Sequence, residues 1–313
     1  MSGLTRVYQH SGKIGTSPLI IFFLGIPSTM ILGFIYGYVS VYNPLTGIVS
    51  VLLILLFSVA VGIQISLLGK SGKCRNMPFL YLAGFILGVF AVYYSWVVFL
   101  YAFTNRFVDG SEITLLKLIL NPGKMWDYMG LIAKEGWFEV SGSKIKGGLL
   151  WAAWIGEALF IIIASTISAT FMVNEMIFCE NCNKWCDEKG SVSIMFPEDQ
   201  ETLDAIAEGN MDVVLELPKI GAHQFPQINC EAFHCPNCTN TVGFSFRTVF
   251  QIDDGEGKLT EEKELIGPPI ILEADDFEAI MTKTISAATD ENAFPADPVE
   301  PVDAIEPEQE DGV

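Results

Sequence analysis

Pro78 to Phe103 reads PFLYLAGFILGVFAVYYSWVVFLYAF, a run with no acidic or basic side chain. A helix of about 20 residues crosses the roughly 30 Å hydrocarbon core of a bilayer, because it satisfies its backbone N–H and C=O groups internally where no water can. This stretch is long enough to span. Three others compare with it: Leu19 to Tyr38, Gly47 to Leu68 and Leu149 to Val173. The first follows Arg6 and Lys13, has no small-residue cleavage site and continues through Gly37, Tyr38 and Tyr42, so it reads as an anchor and not as a removed leader. The fold expected is a multi-pass α-helical membrane bundle of four transmembrane helices. It occupies 19–173 after a cytoplasmic N-terminus, 1–18.

Half of the residues are hydrophobic and the mean hydropathy is +0.40, yet the formal net charge is -19. The two properties sit in different parts of the chain. Residues 1–173 sum to +5, 174–250 to -8 and 251–313 to -16. An acidic back half is repelled by nucleic acid and by anionic lipid, which excludes nucleic acid as a partner. From about Ser286 onward proline and acidic residues dominate with few large apolar ones, so 284–313 reads as a disordered acidic tail. The lipid bilayer is the partner of the front half.

Orientation follows from the short loops. Lys70, Lys73 and Arg75 crowd the connection between the second and third spans, whereas the turn at Asn43 and Pro44 is uncharged, so the former is assigned to the cytoplasm. Both termini are then cytoplasmic, in a plasma or inner membrane. The loop over 104–148 is basic too and argues mildly the other way, but long loops translocate with little regard for charge. In this orientation all seven cysteines face the reducing side. Within the outer loop, Met125, Trp126, Met129 and Ile132 recur at helical spacing between Pro122 and Gly136, which predicts an amphipathic helix lying along the outer membrane surface.

Beyond Asn174 the pattern changes to short strands with few helices. A helix is predicted after Pro197-Glu198-Asp199, ended by Gly209, and strands over Met211 to Leu217, Val242 to Ile252 and around Pro269 to Leu272. A short helix is expected near Asp276 to Met281.

The strongest chemical pattern is Cys179-Glu-Asn-Cys182 with Cys235-Pro-Asn-Cys238. Two thiolates spaced by two residues bend around one cation, and two such pairs supply the four tetrahedral ligands that zinc prefers. The arrangement resembles a zinc ribbon over Cys179 to about Arg247. The resemblance implies two knuckles on β-hairpins closing around one structural Zn²⁺ per chain. The interval between the pairs exceeds the roughly 15 to 20 residues of a compact ribbon, which implies an elaborated small α+β domain, 174–283, with the insertion packed beside the metal. Cys186, Cys230, His223 and His234 surround the knuckles as alternate ligands, for a Cys₃His site or a second ion; otherwise the two cysteines are small buried hydrophobes. Four thiolates leave no open position for a reacting water.

Glu157 is the one ionisable residue well inside an apolar stretch. A carboxylate there costs about 2.5 kcal/mol or more, so it faces the bundle and finds partners. Counting from the outer ends places Tyr93, Tyr94 and Ser95 at its depth, with Gln64 nearer the cytoplasm. It serves either a proton or cation relay or a hydrogen bond that fixes packing. Gly33 with Gly37, Gly84 with Gly88, and Ala152 with Gly156 supply close-packing surfaces, within one chain or in a homo-oligomer. Pro27 is a candidate kink.

These features point to an integral membrane protein that anchors a cytoplasmic structural-zinc module for interaction or regulation, with a protein partner at that module. The alternative is a transporter or channel-like component built on Glu157. A membrane enzyme comes behind both, for lack of a nucleophile with its base, a phosphate loop or an open metal site.

Overall fold

The computed structural model describes residues 6–42, 48–108, 113–137, 139–140, 143–221, 224–238, 241–253 and 258–272. Among them are four helices long and apolar enough to cross a membrane: α1 (Ser17–Tyr42), α2 (Ile48–Ser71), α3 (Met77–Phe107) and, after the shorter α4 (Leu115–Ile119) and α5 (Pro122–Glu135), α6 (Gly148–Ser168). Helices α1 and α3 contain their expected spans and overrun them by a few residues, α2 covers its span from Ile48 onward, Gly47 lying outside the described residues, and α6 stops short of Val173. Helix α3 is capped by Asn76, whose side chain accepts from the Phe79 amide, and is the most enclosed of the four. A π turn, Ile21–Gly25, lies just ahead of Pro27, the candidate kink, and the helix runs on as α-helix through the proline. Proline has no N–H to give to the carbonyl four residues back, and a wider turn accommodates that gap.

Small residues set how closely the helices approach. A Cβ placed on Gly37 would lie 2.8 Å from Ser95 O and 2.9 Å from Val98, so only glycine lets α1 meet α3 there. Gly84 likewise admits α6, where a Cβ would stand 2.8 Å from Ala169. These contacts are within the chain. Gly156 instead faces open space.

Helix α5 forms as expected, but its apolar stripe is not spread on a surface. Met125, Met129, Ile132 and Ala133 are buried with Val97, Leu100, Leu150 and Trp154, so the helix closes the bundle at the end far from the cysteines. Trp126, expected on the same stripe, is exposed and stands over Trp151 with ring centroids 4.7 Å apart.

The second half is an antiparallel sheet in the order β1 (Arg6–Val7), β10 (Ile270–Leu272), β8 (Val242–Asp253), β7 (Gln227–His234), β6 (Asp187–Met195), with β9 (Leu259–Leu265) pairing farther along β8. Two small hairpins stand apart, β2 (Glu139–Val140) with β3 (Ser143–Lys144) and β4 (Phe178–Cys179) with β5 (Lys184–Trp185). Strand alternation turns Val242, Phe244 and Phe246 to one face, where Ile194, Ile228 and Cys230 join them under α7 (Gln200–Ala207) and α8 (Met211–Glu216). Asp199 caps α7, accepting from the Thr202 amide at 2.7 Å, and Gly209 ends it at φ +88°.

One expectation fails here. Met211 to Leu217 is not a strand; it is α8 plus one residue. The β-branched pair Val213 and Val214 suggested an extended chain, but Met211 and Val214, three apart, both reach the sheet core, and that spacing is helical. The expected helix near Asp276 to Met281 and the acidic tail lie outside the described residues.

Candidate metal centre

Both cysteine pairs sit on tight hairpin turns. Cys179 closes β4, the chain turns through Glu180 and Asn181 to Cys182, and Asn183 takes φ +53° before β5 returns. Asparagine tolerates this left-handed backbone, which lets the turn close around the sulfurs. Cys235 and Cys238 lie between β7 and β8, where the Cys235 amide donates to Thr241 O at 2.9 Å. Lys184 Nζ donates to Asn237 Oδ1 at 3.1 Å and ties one turn to the other.

The four sulfurs lie within 4.8 Å of one another, and Cys179 and Cys238 stand 3.7 Å apart. Tetrahedral bonds of about 2.3 Å from a zinc ion put sulfurs about 3.8 Å apart, so the geometry fits. None of the cysteines is in a disulfide. The surroundings favour thiolate at Cys179. Burial works to raise the Cys179 thiol, but donation from Thr241 Oγ1 at 3.2 Å and the Cys182 amide at 3.4 Å, with the neighbouring thiols, brings it down to about 7. Its neighbours then push Cys182 up to about 12, first through the hydrogen bond with Cys238. A bound cation would reverse that by deprotonating all four.

The alternate ligands divide differently. Cys186 is buried beside the cluster with its amide bonded to Ile177 O, Cys230 lies in the core of the sheet opposite Phe246, and His234 turns Nδ1 to Cys235 O at 3.0 Å. Their ligand atoms are not part of the convergent group. Burial raises both thiols to about 12. His223 lies outside the described residues.

No family model, curated protein or solved structure matches the chain.

Contacts that no local sequence pattern marks hold the first cysteine turn against the bundle. Glu180 accepts from Ser11 Oγ at 2.6 Å and Lys13 Nζ at 2.8 Å, and stands 3.4 Å from Arg75. Tyr8 OH accepts from the Phe178 amide at 3.1 Å, and Trp185 Nε1 donates to Lys70 O at 2.8 Å. Farther from the site, Arg247 bridges Glu175, just after α6, to Glu231 on β7.

Glu157 has a partner, but not the one expected. Tyr36 OH donates to Glu157 Oε1 at 2.7 Å, with the Tyr36 ring stacked on Phe57 at 4.4 Å. Tyr93 OH donates instead to Ile119 O and Ser95 Oγ to Val92 O, while Tyr94 packs against Gly33. Counting residues from helix ends misses this because side chains lean toward the N-terminus of their helix. Tyr36 therefore reaches several ångströms back along α1. Gln64 Nε2 donates to Thr29 Oγ1 across α1 and α2. Removing the phenol in Tyr36→Phe leaves the Glu157 carboxyl without its donor. The expected cost is about 1–3 kcal/mol of bundle stability, read as a lower unfolding midpoint in detergent, with Glu157→Gln milder because an amide still accepts from Tyr36.

Proposed function

We propose that the chain is a multi-pass membrane protein that carries, on the cytoplasmic side, a module stabilised by one structural zinc ion on Cys179, Cys182, Cys235 and Cys238, and that this module serves interaction or regulation. The observation that carries the reading is the convergence of four free thiols, contributed by two hairpin turns, at the end of a bundle of bilayer-length apolar helices. Two knuckles on hairpins are what the zinc-ribbon resemblance implies. Zinc on four thiolates supplies a cross-link and keeps no open position for chemistry, so its role is structural.

The division is a membrane part over 19–173 and a module over 174–283 followed by the tail. Residues 1–18 belong functionally with the module, because Arg6 and Val7 pair with Ile271 and Ile270. That pairing, with the Lys13 and Lys70 contacts, supports a single side for the N-terminal segment, the α2–α3 turn and the cysteines. The cluster of Lys70, Lys73 and Arg75 supports the cytoplasm as that side. Tyr36 bonded to Glu157 supports a packing role for this carboxylate.

The test uses the full chain in its membrane. Metal analysis after detergent purification is expected to give one zinc per chain, and tags before Met1 and after Val313 are expected to be protease-protected in intact cells and cleaved after permeabilisation. A metal-free folded chain, or tags open to the exterior, contradicts the proposal.

A further inference from the structure

The turn that holds the first pair of thiols is also the part of the sheet domain that grips the bundle. Glu180, between the ligands Cys179 and Cys182, meets Arg75 and Lys13; Phe178, one residue before Cys179, lies under the Arg75 guanidinium at 3.9 Å; and Trp185, at the far end of the hairpin, bonds Lys70 O. The other side of the grip is the connection between α2 and α3, residues 72–76. The N-terminal segment is threaded between them, through Arg75 N to Lys13 O at 2.7 Å and Gly12 N to Arg75 O at 3.1 Å. Arg75 is only 5% exposed and its Nε has no hydrogen-bond partner, so its buried charge depends on Glu180 and the Phe178 ring.

The hairpin cannot hold that position by itself. Strands β4 and β5 have two residues each, and an isolated hairpin is marginal even when longer. Two bonds from its sulfurs to an ion shared with Cys235 and Cys238 would fix the turn to the main sheet. Resting on the zinc reading above, we propose that metal occupancy of the four-thiol site clasps the sheet domain to the α2–α3 turn, so that metal loss frees that end of the bundle. Coupling of this kind is reciprocal: whatever factor the metal adds to docking, docking adds to metal affinity.

The experiment uses the full chain in detergent micelles, with and without EDTA, followed by amide hydrogen exchange. Metal removal is expected to speed exchange over 70–76 about 5-fold or more, the lower end of ordinary coupling. Glu180→Ala and Trp185→Phe keep all four thiols. Each is expected to retain one zinc per chain, to speed exchange over 70–76, and to lose zinc more readily to a competing chelator, with Glu180→Ala about 5-fold weaker. One zinc per chain with 70–76 equally protected in the metal-free form, or zinc affinity unmoved in both variants, overturns the clasp and leaves the zinc reading standing. A chain that takes up no zinc overturns both.

Discussion

Cys238→Ser is expected to abolish stoichiometric zinc and to unfold the sheet domain while the apolar helices remain folded. Structural zinc sites in small peptides contribute about 10–16 kcal/mol at neutral pH, comparable with or above the roughly 5–15 kcal/mol that separates a whole domain from its unfolded state. The domain has one well-packed face around Phe244 and Phe246, while the β4–β5 hairpin packs in a small separate cluster with Ile177, Cys186 and Cys235. The measurement pairs zinc content with near-ultraviolet circular dichroism of the detergent-solubilised chain. Cys230→Ala and Cys186→Ala are expected to keep the metal, since both thiols lie outside the convergent group. Zinc retained by Cys238→Ser and lost by Cys186→Ala would move the ligand set.

Acid has the same direction of effect. Without metal the neighbouring thiols raise Cys182 and lower Cys179, to about 7, so the pair holds a proton at neutral pH and gains another as the pH falls. Binding must expel these protons, so affinity falls with falling pH, and more steeply below about pH 7.

Gly37→Leu is the second large effect. A Cβ at this position already intrudes on Ser95 O and Val98, and a leucine must push α1 off α3 along the most enclosed helix of the bundle. Overpacking costs about 1–3 kcal/mol in well-packed cores, and lipid offers no hydrophobic drive to restore the contact. The readout is the midpoint of unfolding as a denaturing detergent is titrated in. Gly156→Leu is the matched control. With nothing near its Cβ, it is expected to stay within about 0.5 kcal/mol of the parent. Equal losses at both positions would mean that the α1–α3 approach is not what glycine serves.

Legibility in the sequence followed the range of the interaction. The apolar helices could be read because a helix long and apolar enough to cross a membrane is a continuous run of apolar residues, a property of one stretch and independent of its neighbours. The cysteine pairs could be read because a Cys-x-x-Cys turn presents two thiols from four consecutive residues. Met211 to Leu217 was misread because its β-branched composition is a weak local preference that packing of Met211 and Val214 overrode. Strand β1 escaped notice for a different reason. It is two residues long, and its partner β10 lies near the far end of the described chain.

Tyr36 and Glu157 are 121 positions apart, and Lys13 and Glu180 are 167 apart. Neither pair has a local pattern, since each depends on helix rotation, lean and docking. What the sequence determined by itself was therefore the four long apolar helices and the identity of the four clustered thiols, both set by residues near one another in the chain. Only the tertiary structure decided which side chains join the two halves, because surfaces from the N-terminus, the α2–α3 turn and the cysteine hairpin have to meet before those contacts exist.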